Sequence, residues 1–252
     1  ICCTVSLLCR KAKMLAHSTR SSTVATTAEM RVWTEDNALN NFSNPLNYAK
    51  KLYLNDELVT KLILSNGKTN NFRGHFHYYR EHITTIVISE GVTEILPNEF
   101  SLYNWYKNLT SVTLPKSLRK IGEHAFYECT GLTEIIIPED VTEIGAFAFS
   151  GCEGLTSIVI PEGVTEIAER AFEKCYNLTS ITLPTSLRKI GSGAFSGCDK
   201  LTSIAIPKCV TEIGSWAFNE CDNLSEVSIS DIIAWCNIKF EDYRSNPLEY
   251  AK

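Results

Sequence analysis

Apolar residues recur along this chain at a period far longer than that of a helix or a strand. Phe126, Phe149, Phe172, Phe195 and Phe218 are spaced by 23 residues, and so are Cys129, Cys152, Cys175, Cys198 and Cys221. Pro115, Pro138, Pro161, Pro184 and Pro207 keep the same step. A fixed period of about 20–50 residues marks a solenoid, in which one repeat cannot bury its apolar side alone and stacks on its neighbours. One coil, Leu155 to Cys175, shows the elements. Leu155, Ile158 and Ile160 form an L-x-x-I-x-I strand with Ile158 and Ile160 on one face. Pro161 lacks an N–H for the ladder and ends the strand, and Glu162-Gly163 makes a turn. Val164 and Ile167 point inward from a second short extended piece. Ala171, Phe172 and Cys175 have i, i+1, i+4 spacing, which predicts a single helical turn. The expected fold class is an α/β solenoid: 23-residue coils with parallel β-strands and short helical turns.

Counted from the proline position, about seven coils begin at Ser65, Ser89, Pro115, Pro138, Pro161, Pro184 and Pro207. The first steps are 24 and 26, and the longer one carries three extra residues between Phe100 and Leu109. The first two coils are degenerate, with serine for proline and Tyr79 and Tyr103 at the cysteine position, as terminal repeats commonly are. A longer repetition frames the array. Trp33 to Lys50 and Trp235 to Lys252 share Trp, Ser-Asn-Pro, Leu and Tyr-Ala-Lys at an offset of 202. After the first copy, two extended runs flank Asn55-Asp56, a hairpin signal. Residues 17–29 are Ser/Thr-rich without periodicity and read as linker. The expected organisation is a disordered or truncated leader or linker over 1–30, a spacer module with a hairpin over 31–57, the solenoid over 58–230, and the start of a second, non-coil spacer module over 231–252. The whole reads as one block of a longer protein. The apolar stretch Ile1–Cys9 precedes Arg10, Lys11 and Lys13, the reverse of a secretory signal, and is too short for a bilayer, which needs about 20 residues.

Composition narrows the function classes. The chain has 252 residues, 44% hydrophobic, with 24 basic against 29 acidic residues and a net charge of −5. That balance lacks the basic stripe of a nucleic-acid binder. Ten cysteines would suit a disulfide scaffold only in a short secreted chain. Here the ladder thiols point the same way, which does not suit disulfide geometry. They read as buried free thiols acting as small apolar residues. Cys2, Cys3, Cys9, Cys209 and Cys236 show no metal-like spacing. A polar column, Glu94, Lys120, Glu143, Glu166, Lys189 and Glu212, puts opposite charges side by side at Lys120–Glu143, Glu166–Lys189 and Lys189–Glu212, but not at Glu143–Glu166. It reads as a solvated face.

Coils of the form L-T-S-I-x-I-P-x-x-V-T-x-I-G-x-x-A-F-x-x-C, as in IGEHAFYECTGLTEIIIP and IGSGAFSGCDKLTSIAIP, resemble the BspA-type leucine-rich repeats. The resemblance covers about residues 58–230 and is nearly unbroken from Leu109 to Leu224. It implies parallel strands on one side of the solenoid with extended or helical turns on the other. It also implies secreted or surface-exposed proteins used for adhesion and protein binding. It supplies no catalytic motif.

Two places are candidates for partner binding. One is the outward column of the first strand, Thr113, Ile136, Val159, Thr182 and Ala205, continued by Ser228; solenoids use such faces for extended binding. It lacks the Tyr, Trp and Arg enriched at hot spots, and strand propensity alone accounts for its Thr, Val and Ile. The other is the aromatic insertion Tyr103, Trp105 and Tyr106, which either bulges outward as a binding loop or packs on the degenerate coil beside it. His75, His77 and His82 lack a Cys or acidic partner at ligand spacing for zinc. Asn41, Asn108, Asn177 and Asn223 open N-x-Ser/Thr triplets, three of them through an N-L-T/S repeat consensus. No nucleophile set or phosphate loop occurs, and the Ile-Gly pairs at Gly122, Gly145, Gly191 and Gly214 read as turn glycines. The expectation is a non-enzymatic, monomeric scaffold without cofactors or a membrane span. It would bind another protein or a surface glycoconjugate at a secreted or cell-surface location. The alternatives are a structural spacer, or repeats flanking a catalytic domain.

Overall fold

The computed structural model describes residues 29–33, 53–54, 57–58, 60–65, 82–101, 106 and 108–249. The L-x-x-I-x-I segments form one file of parallel strands: β1 (Glu29–Trp33), then, after a hairpin of β2 (Tyr53–Leu54) and β3 (Glu57–Leu58), β4 (Lys61–Ser65) and β5 (Thr85–Ile88). The V-T-x-I segments form a second file, which begins at β6 (Glu94–Ile95). From there the files alternate along the chain. The first contains β7 (Ser111–Thr113), β9 (Glu134–Ile135), β11 (Ser157–Val159), β13 (Ser180–Thr182), β15 (Ser203–Ile206) and β17 (Glu226–Ile229). The second contains β8 (Lys120–Ile121), β10 (Glu143–Ile144), β12 (Glu166–Ile167), β14 (Lys189–Ile190) and β16 (Glu212–Ile213). Like residues lie over like: Val112 pairs with Ile135, Ile158 with Ile181, Ile204 with Val227, and Ile167 with Ile190. The hairpin predicted around Asn55-Asp56 is present, with Tyr53 opposite Leu58.

The third side of each coil is a turn and not the predicted helical turn. In the coil of Phe172, the amides of Arg170, Phe172 and Lys174 donate to Ser192, Ala194 and Ser196 of the next coil at 2.9, 2.9 and 2.7 Å. The amides between them, of Ala171, Glu173 and Cys175, donate three residues back, to Ala168, Arg170 and Phe172. A helix would send each amide four residues back. Sharing alternate amides with the neighbouring coil satisfies the buried backbone and joins the coils on this side too. The geometry needs left-handed residues, such as Arg170 at φ 49° and Lys174 at φ 57°. Among the described residues the only α-helix is α1 (Ile232–Cys236), capped by the Asp231 carboxylate, which accepts from the amides of Ile233 and Ala234. The fold is thus a parallel-strand solenoid of about seven 23-residue coils with little helix.

The core is built from columns. Phe100, Phe126, Phe149, Phe172, Phe195 and Phe218 are all buried and stack ring on ring, with centroids 5.3–5.8 Å apart and planes within 3–24°. The Ile-Gly glycines are there for close approach: a Cβ at Gly145 would lie 2.6 Å from the Glu123 amide nitrogen of the coil before it. The winding does not stop at residue 230. After α1, β18 (Lys239–Phe240) pairs with β16, so the opening part of the expected non-coil spacer adds one more rung.

Candidate functional site

Strand alternation decides what the first file shows to solvent. Ile135 and Ile137, Ile158 and Ile160, and Ile204 and Ile206 turn inward and are buried. The residues between them turn outward, so Thr113, Ile136, Val159, Thr182, Ala205 and Ser228 are all exposed and form the column expected from the sequence. Two of its members are large and apolar: Ile136 is 84% exposed and Val159 64%. Beside Ile136 runs an open groove of about 570 Å³ lined by Thr113, Lys116, Ile136, Pro138, Glu139 and Asp140. Asp140 is held there by Arg119 at 3.1 Å. The groove rim is therefore polar and largely acidic around an aliphatic centre.

The threonines next to this column have a structural task. Hydroxyls of Thr110, Thr133, Thr156 and Thr179 each donate to the main-chain carbonyl of the equivalent threonine one coil earlier, Thr84, Thr110, Thr133 and Thr156, at 3.0–3.4 Å. They stitch the coils together and leave the outward column free to vary. Asn177 and Asn223 act likewise, their carboxamides donating to the carbonyls of Glu153 and Asp199.

The aromatic insertion divides. Tyr103 and Trp105 lie outside the described residues. Tyr106 is buried and meets Phe100 edge-on, with centroids 5.8 Å apart at 77°. Tyr106 therefore packs in the core beside Phe100 and does not bulge outward as part of a binding loop.

The charge column pairs as its signs require. Lys120 reaches Glu143 at 3.0 Å and Glu94 at 3.6 Å, and Lys189 reaches Glu166 at 3.4 Å and Glu212 at 3.9 Å. Both lysines titrate above their ordinary range, Lys120 chiefly through its hydrogen bond to Glu143, Lys189 chiefly through the charge of Glu166. The second file breaks once among the described strands, between β10 and β12, where Glu143 and Glu166 carry like charge.

The ladder cysteines are free and buried, as read from the sequence, but they are more than apolar filler. Each thiol donates to the carbonyl of the phenylalanine one coil earlier: Cys152 to Phe126, Cys175 to Phe149, Cys198 to Phe172 and Cys221 to Phe195, at 3.1–3.3 Å. Burial pushes the Cys129, Cys175 and Cys221 thiols up to about 12. Among the described residues no group of three or more His, Cys, Asp or Glu could hold a metal ion; His75 and His77 fall outside them.

Sequence reasoning passed over one feature, the position two before each core phenylalanine. Among the described residues it is left-handed in each coil, at Asn98, His124, Phe147, Arg170, Gly193 and Trp216. There the His124 and Phe147 rings stack at 4.6 Å and the Arg170 guanidinium caps Phe147 at 5.5 Å. The run of His, Phe, Arg and Trp in a single column was the available signal.

Parallel rungs, internal columns and an exposed strand face define a repeat solenoid. The repeats themselves match the BspA type leucine rich repeat region in 6 copies over residues 98–225, and the chain belongs to that family. Its fold resembles the crystal structure of a leucine-rich repeat protein of T. pallidum, with 28% identity and a TM-score of 0.56 over 75% of this chain and 81% of that one. It also resembles a leucine-rich repeat protein of Bacteroides ovatus, at 24% identity and a TM-score of 0.50 over 92% of this chain and 67% of that one. No curated protein matches the sequence. Among the described residues no helix is long and apolar enough to cross a membrane.

Proposed function

We propose that the chain is a non-catalytic binding scaffold, displayed outside the cell, whose outward strand face takes a macromolecular partner: another protein or a surface glycoconjugate. The observation that carries this reading is the pair Ile136 and Val159, two aliphatic side chains exposed on adjoining coils beside a groove with an acidic rim. Val87 of β5 holds the same place but is only partly exposed, and in β7, β13, β15 and β17 the position is filled by Thr113, Thr182, Ala205 and Ser228, so fold maintenance does not require a large apolar group there. A partner presenting an apolar side chain flanked by basic groups fits that surface. Membership of the BspA type leucine-rich repeat family, with the adhesive, surface-exposed use that the sequence resemblance implies, and the exposed strand face support this reading.

The test is capture of purified host extracellular proteins by the immobilised chain, compared with an Ile136→Glu/Val159→Glu variant and a Tyr103→Ala/Trp105→Ala variant. Tyr106 stays intact because its removal would disturb the core. The proposal requires binding that the first variant loses by at least about tenfold, or about 1.4 kcal/mol, while the second retains it. Equal binding by the wild type and the Ile136→Glu/Val159→Glu variant rejects the face, and no binding at all returns the chain to a spacer.

A further inference from the structure

On the turn side of the last coils, three large side chains stand together outside the core. Trp216 is 51% exposed and Tyr243 69%. The Arg244 guanidinium carbon lies 4.8 Å from the Trp216 ring centre and 5.2 Å from that of Tyr243, and its Nε donates to the Tyr243 hydroxyl at 2.6 Å. With Asn219, Glu220 and Glu249 they line a cleft of about 560 Å³. That volume lies within the range of small-molecule sites, about 300–1,000 Å³.

The cleft rests on a fixed base. Two short 3₁₀ turns, Tyr243–Ser245 and Pro247–Glu249, carry Tyr243, Arg244 and Glu249. Ser245 and Pro247 beneath them are buried. The Ser245 hydroxyl accepts from the Asp242 amide at 3.0 Å and donates to its carboxylate at 2.9 Å. The Asn246 side chain accepts from the Leu248 amide at 3.0 Å. The residues of this base, Ser-Asn-Pro-Leu, recur 202 positions earlier as Ser43-Asn44-Pro45-Leu46. Those lining the cleft do not: Tyr243, Arg244 and Glu249 correspond there to Asn41, Phe42 and Asn47. The shared residues serve the turn, and the cleft side chains are particular to this copy. Trp216 sits at φ 63°, in the column that holds His124, Phe147 and Arg170 in earlier coils, and the preceding coil has Gly193 at the same place at φ 62°.

We infer that this cleft is a binding site for a neutral saccharide. Arg244 covers one face of each ring, and the part of the indole and phenol left exposed offers flat apolar surface to the C–H face of a sugar ring, with the Tyr243 hydroxyl still able to donate. A sugar hydroxyl donates and accepts at once, so its site needs both kinds of partner. Arg244 and the Asn219 amide supply donors; Glu220, Glu249 and the Asn219 carbonyl supply acceptors. One positive and two negative groups leave the lining at a formal −1, which disfavours an anionic ligand. The site shares no residue with the strand face proposed above, so either can fail without the other.

The experiment is titration calorimetry of the full chain with oligosaccharides of glucose, galactose and N-acetylglucosamine, beside a sialylated oligosaccharide and an acidic peptide. At least one neutral oligosaccharide is expected to bind with a Kd of about 1 mM or tighter. Trp216→Gly adopts the residue that already occupies this conformation one coil earlier; it should keep the thermal midpoint and weaken binding by at least about tenfold. Tyr243→Ala, at an exposed position, should weaken it several-fold and provides a second variant. The assignment is overturned if no neutral oligosaccharide binds at about 10 mM, if only the acidic ligands bind, or if both variants bind as the wild type does.

Discussion

A single coil is held by residues that each serve two neighbours. Phe172 stacks on Phe149 on one side and Phe195 on the other, so Phe172→Ala opens a cavity between coils and should cost about 3–5 kcal/mol in urea unfolding. Cys175 fills the space beside it and also donates to Phe149. With its thiol pushed up to about 12 by burial, almost no thiolate exists at neutral pH, and the thiolate is the reactive form. Treatment of the native protein with a thiol-specific dye near pH 8 should therefore leave Cys129, Cys152, Cys175, Cys198 and Cys221 unlabelled while Cys236, which is exposed, reacts at once. Rapid labelling of Cys175, mapped by peptide mass, would show that the column opens on the timescale of the dye and is not a closed core.

At the scale of the element, the turn between the two strands of a coil carries information about which coil follows. Glu90 accepts from the amides of Lys116 and Ser117 in the next coil, and Glu162 accepts from the amide and hydroxyl of Thr185. In both cases an E-G-V-T-E coil precedes a P-x-S-L-R-K coil, and the Glu94–Lys120 and Glu166–Lys189 ion pairs join the same two partners. These backbone hydrogen bonds hold the Glu90 and Glu162 carboxyls below the usual carboxylate range, and the Ser215 amide does the same to Glu241. A carboxyl with a lowered folded value stabilises fully above the unfolded value of about 4.3, and that stabilisation is lost as pH falls through the folded value. Acidification from about pH 6 to about pH 3 should therefore lower the urea midpoint more in the wild type than in Glu90→Gln/Glu162→Gln. An equal drop in both would remove these caps from the account. The exposed ion pairs are a smaller matter: Lys189→Met should change stability by no more than about 1 kcal/mol.

The whole molecule is a one-dimensional stack, so its cooperativity depends on every interface being sound. Phe172→Ala lies mid-array and should separate the unfolding of the N-terminal coils from that of the C-terminal ones. In a Trp33→Phe/Trp105→Phe background, where emission reports on Trp216 and Trp235 alone, tryptophan emission and far-ultraviolet dichroism should then give different midpoints, while the same change at Phe218, near the end, leaves them closer together. Coincident midpoints in Phe172→Ala would mean that the array folds as one unit despite the gap. The repeat arithmetic also shows what was legible beforehand. Because each coil meets an environment like that of its neighbours, equal spacing alone places Phe, Cys, Leu and Ile inside and Thr113, Ile136 and Val159 outside, and it places the 24- and 26-residue steps where β4, β5 and β7 pair. It could not distinguish a helical turn from the observed turn, since i, i+1, i+4 spacing suits both, and the choice came from amides shared with the next coil. It could not bury Tyr106, which lies in the insertion, or bring Trp216 against Arg244, which stands 28 residues further on and so off the 23-residue step. The chain by itself determined the columns, since like residues stack at equal steps; only the tertiary structure decided the turns and the cleft, since both depend on hydrogen bonds and ring contacts between segments whose pairing no repetition encodes.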